Sequence, residues 1–166
     1  EEEEPEVPIV IEENAKIKAA VDYLREVIAL MGVENVTFSA VQKGEATIIR
    51  LDGEKMGALI GRRGETLDAI QQLTNYAVNR GQSKRIRIHI DAENYRAKRE
   101  ESLQRLARKT AGKALKYRRN MMLEPMNAYE RHVIHAALQS YNPAISTYST
   151  GTEPNRRIVV VFDKNV

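Results

Sequence analysis

The stretch GALIGRRGETLDAI, residues 57–70, sets Gly61-Arg62-Arg63-Gly64 between two helical patterns, and this restricts the fold more than any other feature of the chain. A Walker A loop is Gly-x-x-x-x-Gly-Lys-Ser/Thr after a strand, because the Lys reaches the β and γ phosphates and the hydroxyl holds Mg²⁺. Here Glu65 follows Gly64, and a short helical pattern around residues 55–60 precedes the loop. A dinucleotide fingerprint is set aside because no parallel βαβ unit is read around the loop. Two readings remain, a plain helix–helix turn and a clamp for a nucleic-acid backbone. In the second, the glycines let a backbone approach without Cβ obstruction, and the amides opening the next helix favour phosphate. Arg62 and Arg63 add charge at the tip.

The flanking segments give this loop a sheet to sit on. Asn14 is a predicted N-cap, followed by Ile17, Ala20, Val21, Leu24, Val27, Ile28 and Met31 at helical spacing up to Gly32. VTFSAV and ATIIRL, joined by Gln42-Lys43-Gly44-Glu45, read as a hairpin. After the loop, Leu67, Ile70, Leu73, Ala77 and Val78 mark a helix closing at Asn79-Arg80-Gly81. RIRIHI alternates, with Ile86, Ile88 and Ile90 inward and Arg85, Arg87 and His89 outward. Residues 14–91 thus read as one small α+β domain.

Beyond Asp91 a helix over about residues 93–117 grows basic. Arg105, Arg108, Lys109, Lys113, Lys116, Arg118 and Arg119 occur with no acid between Leu103 and Asn120. Leu103, Leu106, Ala107, Ala114 and Leu115 form its apolar stripe. MMLEP predicts a short strand, Pro125 a first helical turn, and the helix runs to about Ser140. Strands around residues 145–150 and 157–162 flank the turn Gly151-Thr152-Glu153-Pro154-Asn155. Residues 92–166 therefore read as a basic connecting helix and a second small α+β domain.

In that second domain Arg131 and His135 stand four apart, with Asn127 one turn earlier. Such a stripe of donors on one helix face suits phosphate or sugar contacts. The alternative is a solvent-facing helix with a His stacked on an Arg. A metal site at His132 and His135 lacks support, since Glu130 alone is no carboxylate set and the chain has no Cys. Titration of His135 near neutrality would make phosphate affinity rise modestly as pH falls.

Charge agrees with a polyanionic partner. The net charge of +3 hides seven acids and no base in residues 1–13, EEEEPEVPIVIEE, which leaves the body near +10. A body of that sign favours polyanions by counterion release, although it also serves solubility. Residues 1–13 read as a solvated acidic linker stiffened by Pro5 and Pro8, with competition for the basic surface as an alternative role. The chain opens without Met, as a piece cut from a longer protein would. Lack of Cys fits a reducing compartment, and neither a membrane-length apolar run nor a secretory leader is present. No acidic metal cluster or general-base constellation suggests a nuclease, so no cofactor, metal or catalytic residue is assigned.

The helix, strand, strand, helix, Gly-x-x-Gly, helix, strand order resembles the K homology (KH) domain of type II, whose loop clamps single-stranded RNA. Met56, Leu59 and Leu67 are candidates for its base-binding groove. Arg131-x-x-x-His135, with LEPMNAYER and STGTEPNRR around it, resembles the single-strand-binding domain named for an Arg, three residues and a His. The tandem of the two, covering about residues 14–162, is similar to bacterial Jag proteins. The resemblance implies Gly61, Arg62, Arg63 and Gly64 as one RNA site and Arg131 and His135 as another. Asn127, Arg118, Arg119, Arg156 and Arg157 are added from charge and position. It further implies a cytoplasmic binder of single-stranded RNA, or of single-stranded DNA, acting in cell elongation or sporulation-linked processes. The other implied role is a protein-interaction module pairing with a smaller KH-only protein. Jag proteins carry a further small N-terminal domain, to which the acidic start would be the tether.

Overall fold

Asn14 caps the first helix as its position predicts, its Oδ1 accepting from the amide of Ile17 at 3.2 Å. The helix, α1, spans Ala15–Leu30 and buries Ile17, Ala20, Val21, Leu24 and Ile28 on one face. The structure, a computed structural model, describes residues 3–166, which divide into two units at Arg96 and Ala97.

The first unit is built on a four-stranded sheet. Its strands are β1 (Glu6–Ile9), β2 (Thr37–Lys43), β3 (Ala46–Asp52) and β4 (Ile88–Ala92), in that spatial order. The first three are antiparallel neighbours, whereas β3 and β4 are parallel. Parallel neighbours need a crossover. It consists of α2 (Gly57–Ile60), the loop Gly61–Gly64 and α3 (Glu65–Asn79). The absence of a parallel unit around the loop, one ground for setting aside a dinucleotide site, is therefore corrected. The other ground stands, since the glycines follow α2 rather than the strand. The core joins the α1 face to Ile49 and Leu51 of β3, Ile88 and Ile90 of β4, and Leu59, Leu67 and Ile70 of the crossover.

Several local expectations differ from the structure. Residues 6–13 are not a solvated linker, because Glu6–Ile9 pair with Ala40–Lys43 and residues 11–13 form a 3-10 turn. The Glu6 carboxylate grips the Arg50 guanidinium through two hydrogen bonds, at 2.6 and 2.8 Å, and Ile9 and Ile11 pack against the core. Acidic composition masked a strand whose few apolar residues suffice at a sheet edge. Glu1 and Glu2 lie outside the described residues. RIRIHI enters the sheet late, at Ile88, and Leu73 of α3 is 52% exposed rather than inward.

α3 is tied to β4 by side-chain amides four residues apart on one helix face. Asn79 exchanges two hydrogen bonds with the backbone of Ile86, each 2.7 Å, and Asn75 does the same with Ile88 at 2.7 and 2.8 Å. Gln71 accepts from the Ile90 amide at 2.9 Å. At the far end Arg96 binds Asp68 at 2.5 Å, Gln71 at 3.1 Å and the Ile90 carbonyl at 3.2 Å.

The second unit begins within α4 (Tyr95–Tyr117) and adds β5 (Met121–Met122), α5 (Ala128–Leu138), β6 (Ile145–Thr150) and β7 (Arg157–Phe162). Its antiparallel sheet has the order β5-β7-β6. Leu103, Ala107, Ala111 and Ala114 of α4 meet Ile134 and Leu138 of α5 and Ile145, Ile158 and Val160 of the sheet. Leu106 turns outward, at 40% exposure. Pro125 is not in a helical turn, since α5 starts at Ala128 with Asn127 as its cap.

Asn75→Ala removes both hydrogen bonds to Ile88. It should lower stability by about 1–3 kcal/mol, seen as a reduced urea midpoint with unchanged m-value.

Candidate nucleic-acid interface

The loop between α2 and α3 is shaped by three left-handed residues. Gly61 has φ 71° and ψ −176°, Arg63 φ 55°, and Gly64 φ 76°. The Gly61 conformation is open in practice only to glycine. A Cβ on Gly61 would collide with Thr66, and one on Gly64 would lie 2.6 Å from the Tyr95 ring. Both glycines are thus demanded by the molecule's own packing, whereas the sequence suggested room for an incoming backbone. The turn leaves Arg62 exposed at its tip, Arg63 half-buried, and the amino end of α3 just behind. Glu65 and Asp68 sit in that first helical turn, with Asp68 engaged by Arg96.

Met56, Leu59 and Leu67 do not line a groove. They are 1%, 0% and 0% exposed and belong to the core. α2 turns Gly57 and Ala58 to solvent, and α3 shows Ala69, Leu73 and Tyr76.

The second predicted site has a different geometry from an open donor stripe. Arg131 is 8% exposed, its Nη1 donating to the Met126 carbonyl at 2.6 Å and pairing with Glu153 at 2.7 Å. It fastens α5 to the segment before it and to the β6–β7 turn. His135 is half-buried, with Nδ1 2.6 Å from the Thr147 hydroxyl and Nε2 2.9 Å from that of Ser149, both on β6. The Asn127 side chain accepts from the Glu130 amide at 2.9 Å, which makes it a helix cap. Arg131 and His135 do share a helix side, but that side faces the unit's interior.

The remaining arginines lie at the rim of this unit. Arg118, at φ 50°, ends α4 in a left-handed turn, and Arg119 stands 5.6 Å from the Tyr117 ring centre. Both are exposed. Arg156 donates to the Gly151 carbonyl at 2.7 Å, and Arg157 touches the Met122 sulfur at 3.7 Å. Glu130, weighed with the histidines for a metal, is buried against Arg99 at 2.8 Å. Among the described residues no group of three or more His, Cys, Asp or Glu could hold a metal ion. No helix among them is long and apolar enough to cross a membrane.

Comparison with known proteins places both units. The model of the KhpA/KhpB KH domain matches residues 18–90, and that of the Arg-x-x-x-His domain matches residues 101–161. A Bacillus subtilis protein named RNA-binding protein KhpB is 40% identical over 159 residues, covering 94% of this chain and 75% of its own length. The chain belongs to the KhpB (Jag) family. A namesake from Clostridium symbiosum is 40% identical over 144 residues, covering 85% of this chain. One from Lactiplantibacillus plantarum is 32% identical over 151 residues, covering 89% of it. The chain spans 64% and 45% of those two relatives, so it represents only part of their length. The first unit is a KH domain and the second an Arg-x-x-x-His domain, in an α+β fold.

Sequence reasoning missed Tyr95, Glu153, Thr147 and Ser149, the groups that hold the two motifs in shape. ISTYST carried one usable signal, because strand alternation puts Thr147 and Ser149 on a single face. Nothing local linked Tyr95 to a glycine far upstream.

The His135 ring is held below the ordinary imidazole pKa, first by burial and then by the neighbouring charges of His132 and Arg131. Folding therefore favours the neutral ring, which bridges two hydroxyls. Its contribution is complete above the unfolded value of about 6.5 and is lost as pH falls through the lower folded value. Any gain in phosphate affinity from His135 moves below that value, rather than lying near neutrality. His135→Gln should flatten part of the decline in urea midpoint between pH 7 and 5. Burial lowers His89 in the same direction, so some decline persists. For the loop, Gly64→Ala should cost about 1–3 kcal/mol in urea unfolding. Gly57→Ala, whose added methyl meets nothing within 4 Å, should be neutral or stabilising.

Proposed function

We propose that the chain binds single-stranded RNA, with the Gly61–Gly64 turn clamping the sugar–phosphate backbone. The observation that carries this is the turn itself, which exposes Arg62 directly before the amino end of a 15-residue helix. A helix start and a guanidinium side by side attract phosphate, while the fixed glycine geometry keeps the turn preorganised. The relatives named RNA-binding protein KhpB support the same ligand. In the second unit Arg131 and His135 act as positioning residues, holding α5, the β6–β7 turn and β6 together. Asn127 caps the helix, and Arg118, Arg119, Arg156 and Arg157 supply charge at the rim. Two weak sites on one chain raise each other's effective concentration, so the pair binds more tightly than either alone.

The proposed protein is a cytoplasmic binder rather than an enzyme, which agrees with two matched domains of non-enzymatic families. Its proposed setting is regulation of cell elongation or division, or a sporulation-linked process. A second reading is pairing with a smaller KH-only protein. It is favoured by Leu73 and Tyr76, 52% and 70% exposed on α3, and by a KH model whose name spans KhpA and KhpB.

Fluorescence anisotropy with a mixed-sequence single-stranded RNA tests the clamp, with a DNA of the same sequence as competitor. Arg62→Asp/Arg63→Asp should weaken binding by roughly tenfold or more and reduce the salt slope by about 1–2. Unchanged affinity and slope in a folded double variant would overturn the loop as the clamp. Competition between RNA and a KH-only partner would show a shared surface.

A further inference from the structure

In the second unit Arg131 Nη1 and both His135 ring nitrogens are already engaged within the fold. The outer face of its sheet offers an alternative. Register puts Tyr148, Val159 and Met122 in one row across the three strands, with Arg157 and Val161 on either side of Val159 along β7. Thr150 and Ser146 complete this face on β6, and the Arg157 contact to Met122 sulfur runs across it. The opposite face, with Ile145, Thr147, Ile158 and Val160, meets the helices.

This outer face is unlike an ordinary solvated one. Tyr148 is 51% exposed and Met122 61%, whereas Val159 between them is only 5% exposed, so the ring and the thioether stand out to solvent on either side of a covered valine. No Asp or Glu occurs in β5, β6 or β7, and the one charge on the face is the Arg157 guanidinium. An exposed ring, a cation and hydroxyls suit an unpaired base and its phosphate, because every base has a π-face and stacking is indifferent to sequence. A protein partner of matching character would meet little buried apolar area and no opposite charge for Arg157.

We infer that the outer face of the β5-β7-β6 sheet is a second single-stranded RNA site, where Tyr148 stacks on an unpaired base and Arg157 takes a neighbouring phosphate. This rests on the RNA-binding reading above and adds a site the family motifs do not designate.

The chain has no Trp, so Tyr148→Trp supplies a single emission reporter at the face. The test titrates it with a mixed-sequence RNA oligonucleotide and with an abasic oligonucleotide of equal length, while anisotropy of the labelled RNA records total binding. RNA should quench the emission and the abasic strand should not. Quenching should persist, at higher RNA concentration, when Arg62→Asp/Arg63→Asp is added. Tyr148→Ala should weaken binding roughly 5- to 150-fold, and Tyr148→Phe should keep most of the affinity. Circular dichroism establishes that each variant is folded, as the exposure of the side chain leads one to expect. If anisotropy shows binding but the introduced indole's emission is unmoved and Tyr148→Ala binds like the parent, this site is refuted while the loop clamp survives. A blue shift that follows protein concentration alone would instead make the face a self-association surface. Loss of all RNA binding in the unmodified chain would overturn both readings.

Discussion

Parallel pairing of β3 with β4 is the constraint on which the first unit depends. Two strands running the same way cannot be joined by a turn, so the chain must cross over the sheet, and the crossover is α2, the glycine loop and α3. The loop is therefore held at both ends by helices whose apolar sides enter the core, Leu59 and Ile60 from one and Leu67 and Ile70 from the other. A turn held this way has little freedom to collapse. Its shape is secured from behind by the Tyr95 ring against Gly64 and by Arg96, which joins Asp68 to the end of β4.

The second unit depends on a different kind of contact. Its motif side chains point inward, and they replace apolar contacts with a small set of satisfied polar ones. Arg131 reaches a carbonyl and a carboxylate, His135 two hydroxyls, and Glu130 the guanidinium of Arg99. Groups of this kind cost much more to break than they contribute when made, because a lone partner stays desolvated. A motif can thus be diagnostic of a fold and still leave the ligand to other residues. Here the exposed cations Arg118 and Arg119 and the Tyr148 ring are what solvent encounters.

Much of the fold could be read from spacing. The α1 stripe, the β2–β3 hairpin, the two last strands and the cap at Asn14 all follow local rules that act within a few residues. What escaped was set by partners distant in sequence. β1 forms because β2 presents an edge and Arg50 a guanidinium, neither of which is visible in EEEEPEVPIVIEE. The sequence placed Met56, Leu59 and Leu67 beside the loop, but only their tertiary packing decides that they are core. The helical spacing of Arg131 and His135 says that they share a side and is silent on whether that side faces water. Parallel pairing was equally out of reach, since a strand pattern has no direction.

The amides of Gln71, Asn75 and Asn79 have a consequence beyond fixing α3. They occupy the backbone groups of residues 86, 88 and 90 that β4 would otherwise present to a fifth strand. An edge filled in this way cannot template another chain, so three helix residues achieve here what closure achieves in a barrel. On the far side the border is β1, where Pro8 has no amide to donate and Glu6 brings an acid. The sheet is therefore finite in both directions, and neighbouring copies of the chain have little opportunity to zip together through their sheets.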